Sequence, residues 1–395
     1  MSLPLEGVRV VEFTHMVMGP TCGMILGDLG AEVVKVEPPG GDKTRTLHGL
    51  GAGFFRTFNR NKRSVAVDLA RPEGRAIVEK LVAGADIVSE NFRPGLMRSM
   101  GFDYATLSRV HSRLIYVSHK GFLPGPYEKR TALDEVVQMM GGLAYMTGPS
   151  GRPLRAGTSV NDIMGGMFGA IGAIAALRER DKTGRGQEVQ SALFENCAFL
   201  SAQHMQQLAV TGVEPTPLPD RKSAAWGIYD VFSLAGGKQM FIAVTGDKLW
   251  KTFCAALRFD ELARDERLET NTGRATARPW LVPRLGELLA THDIDALQSV
   301  LEASGVPYAR IAKPQDLFDD PHLNASGGLG AVQTENGETT KIPLLPFTLG
   351  GRRLGARMPL PKAGEHTRPV MHELGYSDEQ IAALTADGIV FSPTA

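Results

Sequence analysis

The sequence predicts an α/β protein, a parallel doubly wound sheet joined to a smaller α+β unit. Three observations carry that expectation. Short β-rich runs alternate with helical stretches through the first third of the 395-residue chain. A proline-rich polar stretch, PTPLPDRKS at 215–223, interrupts the pattern past the middle. Beyond it, a stretch of strand character turns back on itself at Gly236-Gly237.

GVRVVEFT (7–14) reads as the first strand, with a helix near 21–29. AEVVKVE (31–37) and SVAVDL (64–69) are the next strands. PEGRAIVEKLVAGA (72–85) is a helix whose Pro72 sits in the first turn, where no partner for its missing N–H is needed. A strand at 86–91, a helix at 104–110 and a strand at 113–118 continue the alternation. From 131 to 210 the chain reads mostly helical. The hairpin covers 226–244, VPYARI (306–311) is a further strand, and the glycine-rich tail carries a last helix near 378–384. These divisions predict a large domain from 1–215 and 328–395, and a small one from 224–327.

Lysine plus arginine equals aspartate plus glutamate, 43 each, so no global field recruits nucleic acid or an anionic membrane. Cys22, Cys197 and Cys254 form no CxxC pair, so neither metal nor redox chemistry is expected. The start of the chain lacks a basic leader and apolar run, which predicts a cytoplasmic protein. The longest apolar stretch, 163–177, is glycine-rich and short for a membrane span, which predicts a buried helix.

Four segments carry candidate chemistry. FTHMVMGP (13–20) turns from a strand into a helix, a place where backbone amides can hold an anion; an ordinary connection is the plainer reading. The loops at 37–45 and 58–64 gather Lys43, Arg45, Arg60, Lys62 and Arg63, and NFRPG (91–95) adds Arg93. Three basic loops after successive strands can converge on phosphates at one sheet edge, or form a solvated basic surface. In the segment 119–142, Lys120 follows a strand, and Asp134 and Gln138 share a helix face, where a cap or internal hydrogen bond is the plainer role. In GTSVNDIMGGMFGAIGAIAAL (157–177), Asp162 opens an apolar helix. It reads either as a cap or as a reactive carboxylate, with Gly165 and Gly166 leaving room for a backbone or a thioester.

The order of these motifs resembles the class III CoA-transferases, the family of formyl-CoA:oxalate and carnitine CoA-transferases. The likeness runs from Leu5 to about Glu365 and rests on GVRVVEFTHMVMGP, LGDLGAEVVKVEPPGGD, NRNKRSVAVDL, ENFRPGLMRSMGF, GPYEKRTALDEVVQMMGG, TSVNDIMGGMFGAIGAIAAL and DKTGRGQEVQSALFE. It implies a Rossmann-like large domain, a small domain and an interlocked homodimer. It implies Asp162 as the catalytic aspartate. It also implies CoA contacts from His15, Met16, Val17, Met18, Lys62, Asn91, Phe92, Arg98 and Lys120. No cofactor is bound permanently; CoA enters as acyl-CoA substrate, with a small carboxylic acid as its partner. Val17, Pro38 and the stretch PDRKSAAWG depart from the best-known member, which has a glutamine, an arginine and a glycine-rich flap there. These departures argue against oxalate.

The implied chemistry is a covalent relay. Asp162 attacks the thioester, and amides at its helix start can meet the oxyanion. Tyr127 and Trp226 are expected near the substrate, and Arg130 or Arg155 can meet a second carboxylate, as of a C4 or C5 diacid, or serve as structural ion-pair partners. An α-methylacyl-CoA racemase is the nearest alternative, but it wants a histidine where Leu133 precedes Asp134. A non-catalytic CoA-binding protein would not need Asp162. A nicotinamide enzyme would want GxGxxG, and the first turn reads THMVMGPTCG.

Overall fold

The apolar runs of the first third build one sheet. In the computed structural model, which describes residues 2–220 and 225–393, β1 (Arg9–Phe13), β2 (Glu32–Glu37), β3 (Lys62–Val67), β4 (Ile87–Glu90), β5 (Ile115–Lys120) and β6 (Glu188–Ala192) are parallel. Their order is β3-β2-β1-β4-β5-β6. The short strand Val390–Phe391 closes the β3 edge in the antiparallel sense.

Both faces are covered, as a parallel sheet requires. Val11, Phe13, Val34, Val36, Val65 and Val67 pack on one face with Ile77 and Leu81 of the helix Pro72–Ala83. Val10, Val33, Ile87, Ile115 and Val117 pack on the other with Cys22 and Leu26 of the helix Met18–Asp28 and Ala170 and Ala173 of the helix Val160–Thr183. The strand order reverses between β1 and β4. Loops leaving their carboxyl ends therefore part there, which is where such sheets take ligands.

The structure divides into two units, Met1–Pro215 with Pro321–Ala395, and Thr216–Asp320. The return to the first unit comes before the expected 327/328 boundary. The segment from Pro321 to Ser326 is tied to the tail of the first unit: Lys341 Nζ donates to Asn324 Oδ1 (2.8 Å) and Arg353 Nε to Ser326 O (3.1 Å). The second unit holds an antiparallel sheet of β7 (Ile228–Ser233), β8 (Gln239–Val244) and β9 (Tyr308–Arg310), with a core around Trp250, Phe253, Leu281 and Leu301. Of the stretch expected as a linker, Arg221, Lys222 and Ser223 lie outside the described residues, as does Ala224.

Three features depart from the sequence expectation. EVQSA forms β6 inside the stretch read as helical, because pairing with β5 outweighs its weak apolar pattern. The tail contains a hairpin, Leu329–Gln333 with Thr339–Pro343. The glycine-rich helix runs from Val160 to Thr183, so by length and composition it does pass for a membrane span; 44% of its most apolar window is buried within the protein.

Candidate active site

The connection from β1 into its helix is gripped at four points. Lys35 Nζ donates to Thr14 O (2.5 Å). Asn91, just after β4, accepts from His15 N through Oδ1 (2.9 Å) and donates to His15 O through Nδ2 (2.8 Å). Thr44 Oγ1 accepts from Met16 N (3.0 Å), and Lys62 Nζ donates to Pro20 O (2.9 Å). Met16 is thereby held at φ +62°, a left-handed conformation costly for a residue with a Cβ. The two loops that part at the reversal of strand order are thus joined by Asn91. The Phe92 ring meets the His15 ring edge-on at 5.5 Å. Although its side chain keeps an exposed edge, desolvation by the neighbouring loops lowers the His15 imidazole below its ordinary value, with Asp42 opposing and Lys35 adding to the effect.

A cavity of about 600 Å³ opens beside this junction, with Thr14, His15, Pro38, Leu69, Phe92 and Arg93 in its wall. It lies at the carboxyl ends of β1, β2 and β3. Its mostly apolar wall suits a flat ring, and Lys43 and Arg93 supply positive charge at its edge. A second cavity of about 370 Å³ shares Arg93 and is lined by Arg98, Lys120, Glu90 and Tyr116. Lys120 Nζ is paired to Glu90 Oε1 (3.1 Å), and Arg98 reaches Asp103 (3.3 Å) while remaining mostly exposed.

The expected basic convergence is corrected here. Lys62 is wholly buried, and Glu12 (2.8 Å), Pro20 O and Asn59 (3.2 Å) take its three donors. It cannot touch CoA. Burial pushes its ammonium down to about 8, against the opposing pull of Glu12. Arg60 is buried on Asp28 (2.6 Å), Arg45 is paired to Glu37 (2.7 Å), and Arg63 to Glu32 and Glu373. Charges that follow strands read as phosphate ligands, but here most serve as internal pairs. Val17 and Met18 are also buried, leaving His15 and Met16 as the exposed face of the loop. Glu12, Lys35 and Thr44 escaped the sequence reading. The signal was present: a glutamate and a lysine interrupt the apolar runs VVEF and EVVKVE, and a buried charge must be paired.

Met18 leads from the loop to the glycine-rich helix. A Cβ at Gly165 would lie 2.3 Å from Met18 Cε, and one at Gly166 2.5 Å from Met18 O. The two glycines therefore admit the neighbouring helix, one turn from Asp162, which decides between the two readings of their small size.

Asp162 lies in the first turn of that helix, yet it does not cap it. Asp134 does: its Oδ2 accepts from Asn161 N (2.7 Å) and Asp162 N (3.0 Å), while Oδ1 accepts from Gln138 Nε2. Val160 N and Ile163 N are taken by Thr158 O (2.9 Å) and Ser159 O (3.0 Å). All four first-turn amides are engaged, so an oxyanion would have to draw on other amides near the helix start. Among the described residues no hydrogen bond reaches the Asp162 carboxylate. Burial, with Asp134 and Glu135 adding like charge, pushes it up to about 7.

Around this carboxylate the sequence candidates separate. Arg155 is paired with Glu135. Arg130 has no carboxylate partner among the described residues; its guanidinium lies 4.8 Å from the Tyr127 ring centre, and Tyr127 packs with Phe122 and Phe194. Trp226 belongs to the second unit, where it lies against Tyr229 at 5.0 Å. Leu133 stands exposed before Asp134.

Over residues 5–367 the sequence matches the model of CoA-transferase family III. It is 34% identical to the succinate–glutarate CoA-transferase of Agrobacterium fabrum, across 94% of this chain and 96% of that protein. It is 31% identical to the succinyl-CoA–D-citramalate CoA-transferase of Chloroflexus aurantiacus, across 98% of both. The fold matches the crystal structure of a CAIB/BAIF family protein from Brucella suis with a TM-score of 0.84, at 34% identity, over 95% of this chain and 100% of that one.

Proposed function

The chain belongs to CoA-transferase family III, and we propose that within it Asp162 is the nucleophile of the transfer. The enzyme moves CoA from an acyl-CoA donor to a carboxylic acid acceptor. The observation that carries the proposal is that Asp162 is spared from capping. Asp134 satisfies the helix start, and Asp162 is left desolvated and unpartnered, the condition of a reactive carboxylate.

CoA lies with its nucleotide in the cavity beside Pro38, Leu69 and Phe92, and its chain follows His15 and Met16 toward the helix of Asp162. Asn91 shapes this path, Arg93 and the mostly exposed Arg98 offer cations to the phosphates, and Lys120 stands beside them already paired to Glu90. Asp162 attacks the thioester carbonyl carbon, the C–S bond breaks and the CoA thiolate leaves a mixed anhydride. The thiolate then attacks the Asp162 acyl carbon, expelling the donor acid and leaving an enzyme thioester. The acceptor carboxylate reverses the sequence. No net proton transfer is needed, and water must be kept from the anhydride.

The two relatives are named for succinate, glutarate and D-citramalate, all dicarboxylates, which supports a small dicarboxylate here. Arg130, a cation without an acidic partner among the described residues, is suited to the remote carboxylate, with Tyr127 beside it. Arg155 is committed to Glu135, so it serves the fold. Met167, Phe168 and Ile171 are exposed on the long helix, and Phe199 packs edge-on against Phe168 at 5.7 Å; this apolar face fits a second copy of the chain in a homodimer. Three buried free thiols fit the reducing cytoplasm.

Intact-mass measurement after incubation with succinyl-CoA and other acyl-CoAs tests the relay, with hydroxylamine trapping to map the site. A CoA-sized adduct or hydroxamate on Asp162, absent from Asp162→Ala, is expected. Transfer that persists in Asp162→Ala rejects the nucleophile. Deuterium wash-in α to a 2-methylacyl thioester without any adduct would favour the racemase instead.

A further inference from the structure

Three charged side chains lie inside the sheet where apolar ones would pack: Glu12 of β1, Lys35 of β2 and Lys62 of β3, all wholly buried. Replacing such ions by apolar residues is often neutral or favourable to stability, so stability alone is a weak reason for them. What sets them apart is what they hold. Lys35 grips the carbonyl of Thr14, where β1 ends, and Lys62 grips that of Pro20, inside the next helix. Glu12 stands between the two ammonium groups, 2.8 Å from Lys62 and 3.8 Å from Lys35, its strand register placing it opposite Lys35.

The grip extends through Asp42. Lys35 Nζ meets Asp42 Oδ2 at 3.0 Å, and Asp42 Oδ1 accepts from Thr44 N (2.9 Å) and Thr44 Oγ1 (2.7 Å). The hydroxyl so oriented turns its lone pair to Met16 N. Gly23 makes the arrangement possible: a Cβ there would lie 1.8 Å from Glu12 Oε2. Both ends and the strained centre of the loop are thus bound to one internal network.

We propose that Lys35, Glu12, Lys62 and Asp42 form a positioning clamp that presets residues 14–20 to receive CoA. The inference rests on the reading of this loop as a CoA contact. Its physical effect is preorganisation. Fixing the backbone before binding removes that entropic cost from association, so the clamp acts on CoA affinity rather than on the chemical step.

The test uses full-length enzyme and the probe is free CoA, with succinyl-CoA for kinetics. Hydrogen exchange by mass spectrometry follows the peptide spanning 14–20. In wild type, CoA slows exchange there; absence of that protection rejects the loop as a CoA contact and the clamp with it. Glu12→Gln with Lys62→Met removes both charges together, which avoids stranding one of them. Exchange of the loop in free enzyme and the KM for succinyl-CoA are each expected to rise about tenfold, with kcat changing far less. Loop exchange and KM unchanged in a folded double variant, while wild type keeps its CoA protection, overturn the clamp and leave the loop contact standing. Should the double variant fail to fold, Thr44→Val releases Met16 N alone. A rise of about threefold in the same two quantities supports the clamp, and no change in either rejects it.

Discussion

Beneath the 14–20 loop, buried charges find partners of opposite sign: Lys62 with Glu12, Lys35 with Asp42, Arg60 with Asp28. At the start of the Val160–Thr183 helix the opposite holds. Among the described residues the charges that shift Asp162, those of Asp134 and Glu135, are of like sign, and Asp134 rather than Asp162 caps the helix. The two regions adjoin through Met18, which leaves the loop and packs on Gly165. Their difference separates charge used to hold a shape from a carboxylate left unpaired, the condition on which its proposed role as nucleophile rests.

The largest expected effect breaks the paired region. Lys62→Met alone leaves buried Glu12 with only its longer contact to Lys35 (3.8 Å) and costs about 3 kcal/mol of stability, read by denaturant unfolding. A loss below about 1 kcal/mol would mean that the region is not built on pairing.

The unpaired region responds with the opposite sign. The Asp162 carboxyl is raised from an ordinary 3.8 to about 7. Between these values the folded state binds the extra proton, so stability falls as pH rises through the window. Asp162→Asn is expected to be more stable than wild type at pH 8, on the order of 2–4 kcal/mol, and equal to it near pH 4. On the proposed role of Asp162, wild-type kcat/KM is expected to rise with pH and level off above about 7, as the carboxyl loses its proton. Equal stabilities at pH 8, or a pH-independent kcat/KM, would place Asp162 among the paired charges.

A smaller effect probes the division of labour between the two aspartates. Asp134→Ala removes the cap and costs about 1–2 kcal/mol, seen as a lowered Tm, and frees two amides beside Asp162. A Tm unchanged by the substitution would show that Asp134 is not the cap that spares Asp162. The smallest is Met16→Gly. It relieves the left-handed strain and is expected to change stability by no more than about 1 kcal/mol, while the KM for acyl-CoA rises because the loop loses its preset form.

Much of this was legible in the residues. Alternating apolar runs defined five of the six parallel strands, since a strand buried on both faces must be apolar along its length. Asp162 stood out by its place at the head of a glycine-rich helix in a run of family motifs. The polar stretch after Pro215 marked where the first unit gives way to the second. β6 was hidden because EVQSA becomes a strand only by pairing with β5.

What the sequence determined alone was the alternation, the family order of motifs and the identity of the candidate carboxylate, because these depend on residue type and local spacing. Only the tertiary structure decided which charges are committed to internal pairs. Arg45, Arg60, Lys62 and Arg63, and Lys120 on Glu90, look alike in sequence to Arg93 and to Arg98, which stays mostly exposed. Whether such a group faces a ligand or a buried carboxylate depends on partners up to 310 residues away, as Glu373 is for Arg63. The same holds for the two aspartates: it is a contact across 28 residues that makes Asp134 the cap and leaves the Asp162 carboxylate out of that duty.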